Sequence, residues 1–106
     1  MPEYVWFTVR LEFYEQPEDR TGYQGAASRD GFRALCLPRA GELLVSSAII
    51  VGDLPGPRVS SVDHMIDSVH DVDSGEPSIT VVAWMQRPDP PLIERLRAMG
   101  WRISGE

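Results

Sequence analysis

The chain has 106 residues, 42% of them hydrophobic and 25% charged, with a formal net charge of −6. That length suits a single domain, 1–106, able to bury roughly two-thirds of its unfolded surface without disulfide or metal staples. No apolar run is long enough to span a membrane, the opening Met1-Pro2-Glu3 does not read as a signal peptide, and the acidity argues against general nucleic-acid binding, so a cytoplasmic location is expected.

Residues 4–14 are rich in aromatic and β-branched types. From Thr8 onward they alternate, with Val9, Leu11 and Phe13 on one face and Thr8, Arg10, Glu12 and Tyr14 on the other, which predicts a half-buried strand. Val5-Trp6-Phe7 before it is apolar throughout and reads as covered on both sides. Residues 15–31 carry turn and loop chemistry, and the spacing predicts a long loop in which Arg20, Tyr23 and Arg29 are candidate partner contacts. Phe32 to Leu37 predicts a short strand stopped by Pro38, and Pro38 to Glu42 a turn. Leu43 to Val51 is a second apolar run whose Ile49-Ile50-Val51 favours strand, closed by the breakers from Gly52 to Pro57.

Residues 59–69 fit two periods. As a strand, Val62, His64 and Ile66 share a face; as a helix, Val62, Met65, Ile66 and Val69 form an apolar stripe beside an acidic one of Asp63, Asp67 and Asp71. The turn residues Asp73 to Pro77 and the clear strand Ser78 to Met85 that follows favour strand, hence a hairpin. The last element, about 91–99, is one short amphipathic helix with Leu92, Ile93, Leu96 and Met99 inward, Asp89 as N-cap and Gly100 as its stop. Trp101 and Ile103 are expected to dock as a final strand or cap. The three tryptophans, Trp6, Trp84 and Trp101, read as core or core edge.

Cys36 is the only cysteine, so no internal disulfide forms, and its apolar neighbours Ala34, Leu35 and Leu37 predict a buried, inert thiol. All ten basic residues are arginine and asparagine is absent as well; lysine and asparagine use A-rich codons, so this points to a GC-rich bacterial genome or its phage.

The run Leu37-Pro38-Arg39-Ala40-Gly41-Glu42-Leu43-Leu44, then Arg58-Val59-Ser60-Ser61-Val62-Asp63-His64, then Ile79-Thr80-Val81-Val82, resembles a pattern in small uncharacterised bacterial β-proteins. There a Leu-Pro-Arg-x-Gly-Glu turn leads into a curled meander like a small SH3-like barrel. The resemblance covers about residues 37–86 and implies a fold, with no catalytic residues attached.

From Arg58 to Arg87 the chain holds Asp63, Asp67, Asp71, Asp73 and Glu76, with no basic residue between the two arginines and with His64 and His70 among the acids. On a hairpin this charge occupies a defined surface and suits a basic partner. Imidazole with carboxylate is good metal-ligand chemistry, yet the spacing selects no ligand set, and Asp71 to Glu76 misses the calcium-loop pattern because its glycine comes one position early. No nucleophile, phosphate-loop or zinc-hydrolase motif is present. Catalytic, metal and cofactor assignments are therefore none.

The fold expected is α+β, mainly β: a small curled antiparallel sheet or SH3-like barrel of about five strands with one C-terminal helix. The function expected is a non-enzymatic interaction module. Its acidic hairpin docks on a basic protein such as a nuclease or defence protein, in the manner of an inhibitor, immunity protein or antitoxin. Partner-binding residues are Asp63, Asp67, Asp71, Asp73, Glu76, Arg20 and Tyr23. The alternative is a small enzyme or ligand-binding barrel with a His/Asp site between sheet and helix, using His64 or His70. Self-assembly into a homo-oligomer through an exposed strand edge is a third possibility.

Overall fold

The computed structural model describes residues 3–49, 52–65 and 78–105. Strand β1 spans Val5–Gln16, β2 Thr21–Ala34, β3 Arg58–Met65 and β4 Ser78–Met85; helix α1 spans Pro90–Ala98, and β5 Arg102–Ser104 follows it. Among the described residues the strands form one five-stranded sheet in the order β3-β4-β1-β2-β5, not closed into a barrel.

β1 is the strand that the alternation from Thr8 predicts. Phe7, Val9, Leu11 and Phe13 are buried, and the residues between them turn to the other face. Trp6 departs from the expectation of double cover: it lies on that other face, 59% exposed.

The predicted 15–31 loop is not a loop. Pro17 to Arg20 make a tight turn in which the Arg20 N–H donates to the Pro17 carbonyl at 3.2 Å, and the chain then runs back along β1 as β2. Two bulges hide β2 from a period-two reading. Between the Glu12–Ala26 and Tyr14–Tyr23 pairs β2 carries one extra residue, and again between Phe7–Phe32 and Val9–Arg29. Gly25 and Gly31 sit at these bulges with φ of 106° and 84°, a backbone region that side chains disfavour. Each bulge flips the inward phase, so the apolar residues of β2 fall out of step in sequence. The short strand predicted at Phe32 to Leu37 is only the end of β2, which stops at Ala34.

The expectation of an antiparallel sheet needs a correction. β1 pairs antiparallel with β2, but it pairs parallel with β4, from Thr8–Thr80 to Phe13–Met85. β3 and β4 are antiparallel, which bears out the strand reading of 59–69 as far as Met65; residues 66–77 lie outside the described set. β5 pairs antiparallel with β2, so β4 and β5 run the same way, with α1 as the connection between them.

The predicted strand at Leu43 to Val51 does not form over its described part. It touches the sheet at one bridge, Leu43 with Arg58, and through the Leu44 N–H to Pro57 O bond, next to two bonds from the preceding turn at the start of β3, Gly41 N–H to Val59 O and Val59 N–H to Glu42 O. Pro57 has no N–H to return, so the ladder cannot continue past it. Residues 35–49 and 52–57 instead cross the core side as irregular chain, with Leu37, Leu44, Ile49 and Leu54 packed against the core.

α1 lies on the same side, with Ile93 and Leu96 buried. Pro90 and Pro91 occupy its first turn, and Asp89 holds the N-cap position without a side-chain cap bond. The helix ends in a Schellman motif. The Trp101 N–H donates to Leu96 O at 3.1 Å and the Gly100 N–H to Arg97 O at 3.0 Å, with Gly100 at a φ of 93°. Trp101 is thereby turned into the core, and its indole N–H donates to the Ala48 carbonyl at 2.7 Å. That bond ties the irregular segment to the helix. Among the described residues, no helix is long and apolar enough to cross a membrane.

Candidate interaction face

The described residues cover one face of the sheet and leave the other bare. Every described segment outside the sheet that contributes to the core packs on the side of Phe7, Val9, Leu11 and Phe13. The opposite face carries the other residues of each strand, placed side by side by the register. Thr8, Arg10 and Glu12 of β1 stand beside Thr80, Val82 and Trp84 of β4. Trp6, Arg10 and Tyr14 stand opposite Arg33, Ser28 and Tyr23 of β2, while Asp63 of β3 pairs with Thr80.

The face is built from arginine and aromatic rings. At one end the Arg33 guanidinium carbon lies 4.5 Å from the Tyr4 ring centre and 5.6 Å from that of Trp6. In the middle, Arg10 donates from Nε to Glu12 Oε2 and from Nη2 to the Tyr23 hydroxyl, both at 3.3 Å. The Tyr14 hydroxyl donates to Glu12 Oε1 at 3.2 Å, and the Tyr14 and Tyr23 rings meet edge-on at 5.7 Å. Burial raises the Tyr14 phenol above its ordinary pKa; the adjacent Glu12 carboxylate and its hydrogen bond push the same way, against Arg20. At the other end the Arg20 guanidinium lies 5.6 Å over the Trp84 ring.

Beside Trp84 a cleft of about 350 Å³ opens at the hairpin turn, lined by Glu15, Glu18 and Asp19 among others. The Trp84 indole N–H is buried with no acceptor among the described residues. The turn end thus joins the Arg20 cation over Trp84 to an acid-lined cleft that also reaches Pro55, Gly56 and Met85 of the covered side, and the other end is a cationic corner at Arg33.

Of the residues that the sequence marks for partner binding, Arg20, Tyr23 and Asp63 are on or beside this face and exposed. Asp67, Asp71, Asp73 and Glu76 lie outside the described residues, as does His70. Arg29 belongs elsewhere. It is half-buried on the core side, donates from Nε to the Met99 carbonyl at 2.9 Å, and lies over Phe32, so it fastens β2 to the end of the helix. Trp6, Tyr4 and Arg33 were not singled out by sequence as contacts; an apolar run gives no sign of which side is left bare.

The alternative site between sheet and helix finds no described residue to build it. That layer is apolar, and no polar or charged side chain is buried among the described residues. His64 follows Val62 on the same side of β3, as the strand reading has it, but is exposed, opposite Ile79. Cys36 is likewise exposed and not buried, because β2 ends two residues before it. No group of three or more histidine, cysteine, aspartate or glutamate residues that could hold a metal ion occurs among the described residues.

Comparison with known proteins finds no matching family model, no matching curated protein and no matching solved structure.

Proposed function

We propose that this chain is a non-enzymatic interaction module that docks a basic protein through the open face of its sheet, as inhibitors, immunity proteins and antitoxins dock on their targets. One observation carries the reading: Trp6, Tyr4 and Tyr23 are 59%, 45% and 55% exposed on a face interleaved with arginines. Tryptophan, tyrosine and arginine are the residue types that dominate binding energy at protein interfaces. Large rings left bare on one face of a sheet have their apolar area still to bury. The basic character of the partner follows from the net charge of −6, from Asp63, and from the carboxylates at the turn cleft. Complementary charge speeds the encounter and sets its direction more than it deepens affinity.

The test is a comparative pull-down from host lysate with the wild-type protein, a Trp6→Ala/Tyr23→Ala double variant and a Glu94→Gln variant on the exposed side of the helix. A basic protein retained by wild type and by Glu94→Gln, lost from the double variant and released by moderate salt, supports the reading. Equal retention by all three proteins sinks it.

A further inference from the structure

We infer that the corner formed by Tyr4, Arg33 and Trp6 is a receptor for a carboxylate side chain of the docked protein. This rests on the interaction reading above and adds the chemistry at one end of the face. Arg33 stands directly across from Trp6 in the β1–β2 pairing, and its guanidinium lies against both rings. Ring contacts take the flat sides of a guanidinium and leave its N–H edge, a rigid fork of donors matched to a carboxylate.

That edge has no hydrogen-bond or ion-pair partner among the described residues. Arg20, over the Trp84 ring at the far end, is the other arginine of the face held by a ring alone among the described residues, while the rest differ. Arg10 is bonded to Glu12, Arg102 lies 3.6 Å from Asp30, and Arg58 donates to the Gly41 carbonyl at 3.0 Å. Arg33 is therefore a cation held against two rings with its donors unspent among the described residues, and those exposed rings would exclude water from whatever docks there. Charge-assisted, bidentate bonds in such a setting are stronger than neutral ones. A phosphate fits the same fork, but a polyanionic strand meets a chain of net charge −6, whereas a lone carboxylate on a basic protein does not face that repulsion.

The two ends of the face then demand opposite charges from one partner: a basic side chain at the turn cleft and an acidic one at Arg33. Trp6 and Gln16 are ten residues apart along β1, about 33 Å at strand rise, which fixes the docking direction.

Isotope-labelled protein is titrated with a short peptide alternating glutamate and leucine, with its lysine–leucine counterpart, and with an oligothymidylate, following the Trp6 indole and Arg33 Nε–H resonances. The glutamate peptide is expected to move both resonances and the lysine peptide neither. Arg33→Gln should weaken the glutamate peptide about tenfold, and Arg33→Lys, which keeps the charge without the fork, by less. Tighter binding of the oligothymidylate, or unchanged peptide affinity in Arg33→Gln, overturns the carboxylate assignment. If no peptide moves Arg33 while a lysate protein is still lost from the Trp6→Ala/Tyr23→Ala variant, this inference falls and the docking face stands. If the face variants lose no protein, the docking reading itself falls.

Discussion

Replacing Gly25 by alanine should detach β5 from the sheet. Gly25 sits in a β2 bulge at a φ of 106°, and a Cβ there would collide with the Ser104 carbonyl oxygen and lie 2.9 Å from the Gly105 Cα. These are backbone atoms, and Arg87 Nη1 holds that backbone by donating to the Gln24 and Gly105 carbonyls at 2.7 and 2.9 Å. Relief therefore requires the C-terminal strand to move. Gly31 supplies the control: it has a φ of 84° in the other bulge, but its Cβ would meet nothing within 4 Å. Gly31→Ala should cost only the backbone term, roughly 1–2 kcal/mol. Gly25→Ala should cost that plus the half-buried Ile103 and the Arg87 bonds, about 3–5 kcal/mol together. At about 5 °C per kcal/mol for a domain of this size, melting should fall by about 5–10 °C for Gly31→Ala and about 15–25 °C for Gly25→Ala. Urea melts of both variants give the free energies, and amide exchange at Ile103 reports the local release. If Gly25→Ala is no more destabilising than Gly31→Ala, the close crossing of β2 and β5 is not a constraint and the reasoning fails.

Leu96, buried in the core at 1% exposure, should cost about 3 kcal/mol when cut to alanine, read as a lower urea midpoint with an unchanged slope. Tyr14 has a native pKa above its unfolded value, so the fold favours the neutral phenol; the resulting stability is complete below about pH 10 and lost as pH rises through the native value. Tyr14→Phe should lack this alkaline loss in urea midpoints, and a phenol that ionises no later than free tyrosine would contradict it. Cys36 is exposed and should react with a thiol reagent in the folded protein nearly as fast as in denaturant; modification limited by unfolding would instead return it to the core.

The acidic set shows how far local reading reached. Asp63 to Glu76 stood out by charge alone, but charge says nothing about which side of a sheet faces it, and of these five only Asp63 is placed among the described residues. Arg20 and Tyr23 lie on or beside the bare face of the sheet, although the sequence reads them as members of a loop. Turn residues suggested the loop; the structure shows that they serve one tight turn and two bulges. Tyr4, Trp6 and Arg33 come together only through the β1–β2 register.

What the sequence determined by itself is what neighbouring residues can encode. Alternation fixed the inward face of β1, Asp89-Pro90-Pro91 and Gly100 set the bounds of α1, and the run from Ser78 to Met85 could only be a strand. The tertiary structure decided whatever depends on residues far apart in the chain. The parallel pairing of β1 with β4 joins segments about seventy residues apart, the bulges at Gly25 and Gly31 acquire meaning only against a paired strand, and Leu43 to Ile49 stays irregular because Pro57 cannot return a hydrogen bond. The same long-range choice placed helix and core on one side of the sheet and left Trp6 and Arg33 on the other, because the one helix among the described residues can cover only one of the sheet's faces.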